Sequence, residues 1–327
     1  MSFPVPVPLP TKAMPVVGKA LQARRRTGAR VASLRRSPGF PWTAPTWPGA
    51  VPRPPVESTL GTGFATEWAR SPVARVARAM LLDGVVRPAV GVIAAPVVAG
   101  VDRLDGLNGP VIFAANHASH IDTPLLLSCL PDRFRHRAVV GAAADYFFDR
   151  RLKAIGSALV ISAIPIERTT VSRQSLAQAT ALLEDGWNLV IFPEGGRTGD
   201  GWAQPFRAGA AFLATRVGIP VVPVHIEGSR QVVRKGGGGV HRATTHVTFG
   251  KPLRPEGALA NTRALSAAIE KAVGVLADEQ ATDWWSARRR AAAGTTPSLG
   301  GPTAGAWRRR WALGEGRRTT SGPRWPA

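Results

Sequence analysis

Between residues 110 and 250 the chain alternates short apolar runs with longer helical patterns, and this alternation limits the folds open to it. Val111-Ile112-Phe113-Ala114, Val139-Val140, Leu159 to Ile166, Leu189-Val190-Ile191-Phe192, Val221 to Ile226 and Val247-Thr248-Phe249 read as strands. A strand covered on both faces carries a continuous apolar run rather than a strict alternation. Between several of these runs lie helical patterns. Over 172–185, Leu176, Ala179 and Leu183 form one stripe, and Gly186 is its stop signal. A second helix spans 208–217 and stops at Gly218, and a last one runs from Thr262 to Glu279. Strand and helix in turn predict an α/β fold: a mostly parallel sheet covered by helices.

The ends of the chain are different. The net charge is +21, but residues 1–60 hold +8 of it and residues 283–327 hold +7. The first 60 residues are rich in Pro, Arg and Ser without a sustained period and read as a disordered tail. Proline also interrupts the N-terminus where a secretory leader would carry an apolar stretch. Residues 283–327 read as a second basic tail, rich in Trp and Arg, also expected to be disordered. The folded domain is expected over 61–282. Arginine outnumbers lysine 36 to 6 amid abundant Ala, Gly and Pro, the bias of a GC-rich coding sequence. Arginine content alone therefore says little about chemistry. A single cysteine, Cys129, excludes an intrachain disulfide and a cysteine metal cluster.

Residues 64–101 carry Phe64, Trp68, Val73, Val76, Met80 and Leu81 at roughly helical spacing, with Arg70, Arg75 and Arg78 between them. An apolar run punctuated by Pro88 and Pro96 follows. The pattern fits an amphipathic, membrane-associating helical segment, and equally a pair of core helices. No run reaches the eighteen or so apolar residues of a spanning helix.

Polar residues cluster at the ends of the apolar runs. Asn116-His117-Ala118-Ser119-His120-Ile121-Asp122-Thr123-Pro124 follows the first strand and precedes the apolar helical run Leu125-Leu126-Leu127. His117 and Asp122 are five residues apart, which on one continuous helix would point them about 140° apart. They meet only if His117 sits on the loop and Asp122 reaches back from the first turn. The imidazole would then be held in one tautomer, with its other nitrogen open to a proton. A metal site at His117, His120 and Asp122 is the alternative, although zinc-binding histidines on a helix are usually four apart. A purely structural histidine is the third reading. Phe192-Pro193-Glu194-Gly195-Gly196-Arg197-Thr198 follows a later strand, with two glycines that let backbone approach a ligand. Ile164-Pro165-Ile166-Glu167-Arg168 and Phe206-Arg207-Ala208-Gly209 bring two more arginines to element ends. Three arginines at the edges of such a sheet can converge on a phosphate.

In this order the blocks resemble the glycerol-3-phosphate and lysophosphatidic acid acyltransferase family (1-acylglycerol-3-phosphate O-acyltransferase-like). NHASHID fits its NHxSxxD block, PIER the block ending in arginine, FPEGGRT the FPEGTR block, FRAG the FKxG segment and IPVVPV the proline-bearing strand. The resemblance spans about residues 75–282. It implies that His117 is the general base and Asp122 its orienting partner. It implies that Arg168, Glu194, Gly195, Arg197 and Arg207 bind the acyl acceptor, chiefly its phosphate, and that His120 is a spacer. Gly196 stands where the family has threonine, and Arg207 where it has lysine. No G-x-S-x-G elbow is present, so direct transfer without an acyl-enzyme is expected, with no cofactor and no metal.

The implied reaction moves a fatty acyl group from acyl-CoA or acyl carrier protein to a lysophospholipid hydroxyl. Lysophosphatidic acid giving phosphatidic acid is the first expectation, and another lysolipid such as lyso-ornithine lipid the second. A metal-dependent hydrolase and a non-catalytic membrane or nucleic-acid binder are the rivals from other classes. The expected partners are a membrane surface, an anionic lysophospholipid and the acyl donor, with no nucleic acid. The expected location is the cytoplasmic face of a membrane, peripheral or monotopic, attached through 64–101.

Overall fold

The computed structural model describes residues 64–147, 151–166, 173–197, 201–233 and 239–301. The expected N-terminal tail, the basic segment from 302 onward and Arg168 lie outside the described residues.

Among the described residues seven strands form one sheet: β1 (Pro96–Ala99), β2 (Ile112–Ala115), β3 (Ala138–Ala143), β4 (Ala163–Ile166), β5 (Asn188–Ile191), β6 (Val221–Glu227) and β7 (Thr245–Phe249). Their order is β1-β7-β6-β2-β5-β3-β4. Every pairing is parallel except that of β6 with β7. The helices of eight or more residues are α1 (Pro72–Leu81), α2 (Arg87–Ala94), α3 (Asp122–Cys129), α6 (Arg151–Ile161), α7 (Arg173–Glu184), α8 (Gly209–Val217), α10 (Thr262–Ala281) and α11 (Trp284–Ala293). Short turns of α-helix among the described residues are α4 (Asp132–Arg135), α5 (Ala144–Phe147) and α9 (Ser229–Val232).

The continuous apolar runs have their expected cause. Successive side chains of a strand face opposite ways. Ile112 and Ala114 enter one core with Val139, Leu189 and Val221, under Leu183 of α7, Leu213 of α8 and Leu265 of α10. Phe113 and Ala115 enter the other with Val140, Val190 and Val222, under Val90 of α2 and Leu125 of α3. Phe113 lies at its centre, edge-on to Phe134 and Phe249, with ring centroids 5.5 and 6.2 Å away.

The 64–101 segment differs from a simple pair of helices. Ser71 caps α1 by accepting from Ala74 N–H at 3.4 Å, and Pro72 opens the first turn, where its missing N–H is not needed. A π-helical stretch, Leu82–Val86, joins α1 to α2. Residues 96–99 then leave the helix as the edge strand β1, because Pro96 cannot continue α2 and Ala95 turns the backbone at φ 34°. Helix α1 also turns its arginine inward. Arg78 is buried and donates to the carbonyls of Ala69, Ala158 and Leu159, the last two at the end of α6. Burial pushes its pKa down to about 10. The opposite stripe faces outward, with Val73 81% and Met80 70% exposed.

Two further readings are corrected. Leu159 to Ile161 belong to α6 rather than to a strand, and Ser162, at φ 51°, makes the turn into β4. A helix end and a following buried strand share one apolar run, so periodicity alone does not divide them. Residues 284–293, expected within a disordered tail, form α11. Asp283 caps it by accepting from Ser286 N–H at 2.9 Å, and Arg290 makes two 2.7 Å bonds to the Asp278 carboxylate of α10.

Replacing Phe113 with Ala removes the ring shared by three elements in a close-packed core. It should lower unfolding free energy by about 3–5 kcal/mol, measured by urea titration.

Candidate active site

The site begins where β2 stops. Asn116, the next residue, pairs its amide with the backbone of β6: Nδ2 donates to Ile226 O at 2.9 Å, and Oδ1 accepts from Ile226 N–H at 2.7 Å. The side chain thus does the work of one more ladder residue and fixes where the following loop departs. Sequence reasoning did not single out Asn116. Its signal was a polar residue set between a buried strand and a histidine.

His117 lies on the loop and Asp122 is the first residue of α3. His117 Nδ1 and Asp122 Oδ2 are 2.9 Å apart, so the structure brings the two together across the loop-to-helix junction. The same carboxylate oxygen accepts Ala118 N–H and Ser119 N–H, each at 2.7 Å. Asp122 is completely buried, and its negative charge sits at the positive end of α3. Ser119 is buried as well and donates its hydroxyl to Val233 O at 2.6 Å, tying the loop to the chain after α9. Phe192 stacks on the imidazole, 4.2 Å between centroids and 24° between planes. The ring is therefore held on its face by Phe192 and at Nδ1 by Asp122. With Nδ1–H donating to the carboxylate, Nε2 carries the lone pair.

Glu194 has a different place from the one the motif implied. It is buried and does not line the cavity beside His117. Its Oε1 accepts His117 N–H at 2.7 Å, and its Oε2 accepts Gln204 N–H at 2.9 Å. The carboxylate therefore ties two loops together by their backbones, and its geometry is that of a brace. Burial raises its pKa to about 7, against the downward pull of those two hydrogen bonds. Gly195, at φ 71°, closes the turn with its N–H on Phe192 O at 3.0 Å. A Cβ there would fall 2.8 Å from Arg207 Nε, so the glycine leaves room for that guanidinium. Arg207 N–H donates to Pro193 O at 2.9 Å, which joins the two blocks directly.

A cavity of about 420 Å³ opens beside His117. Its ionisable lining residues are His117, His120, Arg197 and Arg207. Its walls are apolar: Val140, Ile166, Leu176, Ala179, Ile191 and Leu213. His120, expected as a spacer, lines the cavity too. Burial and the nearby Arg197 and His117 push its pKa down to about 4, so it is uncharged at neutral pH. Among the described residues no three His, Cys, Asp or Glu side chains are placed to hold a metal ion. Arg168 lies outside the described residues. The structure thus gathers His117, Asp122, Gly195, Arg197 and Arg207 at one end of the sheet and sets Glu194 behind them.

Comparison with known proteins gives one consistent result. Residues 95–227 match the family model described as Acyltransferase. The chain is 28% identical over 158 residues to the chloroplastic 1-acyl-sn-glycerol-3-phosphate acyltransferase BAT2 of Brassica napus, an alignment covering 47% of this chain and 44% of that protein. It is 29% identical over 123 residues to the human 1-acyl-sn-glycerol-3-phosphate acyltransferase beta, covering 35% and 40%. The chain thus spans under half the length of these curated relatives. The crystal structure of the 1-acyl-sn-glycerophosphate (LPA) acyltransferase PlsC from Thermotoga maritima has a similar fold. It superposes with a TM-score of 0.51 at 22% identity, covering 66% of this chain and 83% of that one.

Glu194 gives a pH signature. Its pKa rises from 4.5 in the unfolded chain to about 7 in the folded one, so the folded state holds the extra proton between those values. Stability from this group is present below the lower value and is lost as pH rises through the upper one. Urea midpoints of the native protein should therefore fall relative to Glu194→Gln across that interval. Parallel curves would show that Glu194 does not titrate there.

Proposed function

We propose, from the premise that this chain carries an acyltransferase-family domain over residues 95–227, that it transfers a fatty acyl group from a thioester to a hydroxyl of a lysophospholipid, with lysophosphatidic acid the first candidate. The observation that carries the reading is the His117–Asp122 pair, whose imidazole lines a largely apolar cavity together with Arg197 and Arg207. A phosphate-bearing lipid needs both parts of such a lining. The arginines match its charge, and Val140, Leu176 and Leu213 match an acyl chain.

The chemistry follows from the placement. A hydroxyl is too weak an acid to attack a thioester unaided. His117 Nε2 takes the hydroxyl proton as the oxygen bonds to the carbonyl carbon. Asp122 keeps its charge and stabilises the imidazolium formed at that moment. The carbon–sulfur bond then breaks, and the thiol of CoA or acyl carrier protein leaves with the proton that His117 returns. Acceptor binding is assigned to Arg197 and Arg207, and to Arg168 by its motif.

Attachment to a membrane surface is supported by α1. Its outward stripe carries Val73, Val76 and Met80, all exposed. Exposed apolar side chains along one helix face suit a lipid interface. No helix among the described residues is long and apolar enough to cross a membrane. Peripheral attachment on the cytoplasmic side, where acyl-CoA and acyl carrier protein are found, completes the proposal.

The test is an assay of thiol release with acyl-CoA or acyl carrier protein and a panel of acceptors: lysophosphatidic acid, glycerol 3-phosphate, uncharged lysolipids and lyso-ornithine lipid. Acyl transfer to lysophosphatidic acid is expected, and transfer to none of the lysolipids overturns the reading. His117→Ala should lower kcat by about a hundred- to ten-thousand-fold. Arg207→Ala should raise KM for the acceptor more than for the donor. Equal changes would sink the phosphate assignment.

A further inference from the structure

The chain beyond the family-matched segment returns to the site. Helix α11 ends at Gly294, at φ 70°, and Thr295 N–H donates back to Arg290 O at 2.9 Å. The chain then passes over α10 at Gly274, where an added Cβ would lie 3.9 Å from Thr296 Cγ2 and 4.0 Å from Pro297 O. It next reaches the loop that precedes Arg207. Ala203 N–H donates to Leu299 O at 3.0 Å. Gly301, at φ 69°, lies against the Trp202 ring so closely that a Cβ there would fall 2.3 Å from Cδ2.

That loop is the far anchor of the Glu194 brace. Gln204 N–H, one residue after the strap contact, donates to Glu194 Oε2, and Glu194 Oε1 takes His117 N–H. Three hydrogen bonds and one side chain thus connect the Leu299 carbonyl with the backbone of His117. On the other side of the loop, Phe206 N–H donates to Glu270 Oε2 of α10 at 3.4 Å. Two separate attachments to the C-terminal part of the chain therefore hold one short loop. The strap's starting point is fixed as well, because the Arg290–Asp278 pair clamps α11 to α10.

We propose that residues 295–301 are a positioning strap for the active site: through Leu299 and Gly301 they hold the Trp202–Gln204 loop in the place from which Glu194 fixes His117. The strap touches none of the reacting atoms. It acts by restricting where the His117 backbone rests, and a small displacement there changes the angle at which Nε2 meets the acceptor hydroxyl. Its effect on turnover rests on the acyl-transfer reading. Its effect on the loop does not.

The experiment uses the full chain with Gly301→Val, Trp202→Ala, Trp202→Phe and the Gly301→Val/Trp202→Ala double variant. Backbone hydrogen exchange is read at His117, Ala203 and Gln204, and kcat and KM are read for lysophosphatidic acid and acyl-CoA. Gly301→Val should speed exchange at all three amides and lower kcat about tenfold with little change in either KM. Trp202→Ala should do the same, Trp202→Phe should keep native exchange, and the double variant, in which valine at φ 69° stays strained without the ring, should be less impaired than the sum of the two single variants. Native exchange at His117 and Gln204 in both Gly301→Val and Trp202→Ala would overturn the proposal, as would fully additive effects in the double variant. Should Gly301→Val fail to fold, Trp202→Ala, which only removes volume, decides the same amides. A native protein with no acyl transfer would sink the functional reading and leave the exchange result to judge the strap.

Discussion

Parallel pairing brings the ends of successive strands to one edge of a sheet, and the site depends on that constraint. β2 and β5 run side by side, with Ala114 opposite Ile191. The residues that follow each strand, Asn116-His117 and Phe192-Pro193-Glu194, must therefore emerge next to one another. The stack of Phe192 on His117 and the bond from His117 N–H to Glu194 are consequences of that shared edge. β6, on the other side of β2, contributes the Ile226 backbone that Asn116 grips. Three strands distant in sequence define the position of one imidazole.

Two buried carboxylates then perform different tasks within this framework. Asp122 has three donors on one oxygen: the imidazole and two backbone amides. Such a cluster orients the ring before any ligand arrives. Glu194 has two backbone donors, and its burial outweighs them and lifts its pKa to about 7. A motif that lists both residues does not distinguish these roles. The difference lies in which donors the fold delivers to each carboxylate.

Helix α1 illustrates a related point. The spacing of its apolar residues marks a stripe but not the direction in which the stripe points. In the fold the apolar stripe of Val73, Val76 and Met80 looks outward, while Arg78 is the residue turned into the protein. A buried guanidinium is tolerable because carbonyls at the end of α6 and from Ala69 surround it. Periodicity is a property of one segment. Which face is covered depends on what the rest of the chain places against it.

The sequence by itself determined the α/β class, since continuous apolar strands are stable only when covered on both faces. It also determined that His117 and Asp122 would need a loop-to-helix junction to meet, because helical geometry allows no other contact at that spacing. Only the tertiary structure decided that Glu194 is a brace, that Asn116 extends the sheet by its side chain, and that α11 and the strap belong to the folded unit. Each of these rests on a partner far away in the chain: Gln204 for Glu194, Ile226 for Asn116, Trp202 for Gly301. Local pattern carries the preferences of a segment. A hydrogen bond between distant backbones exists only once the whole sheet has set the distance between them.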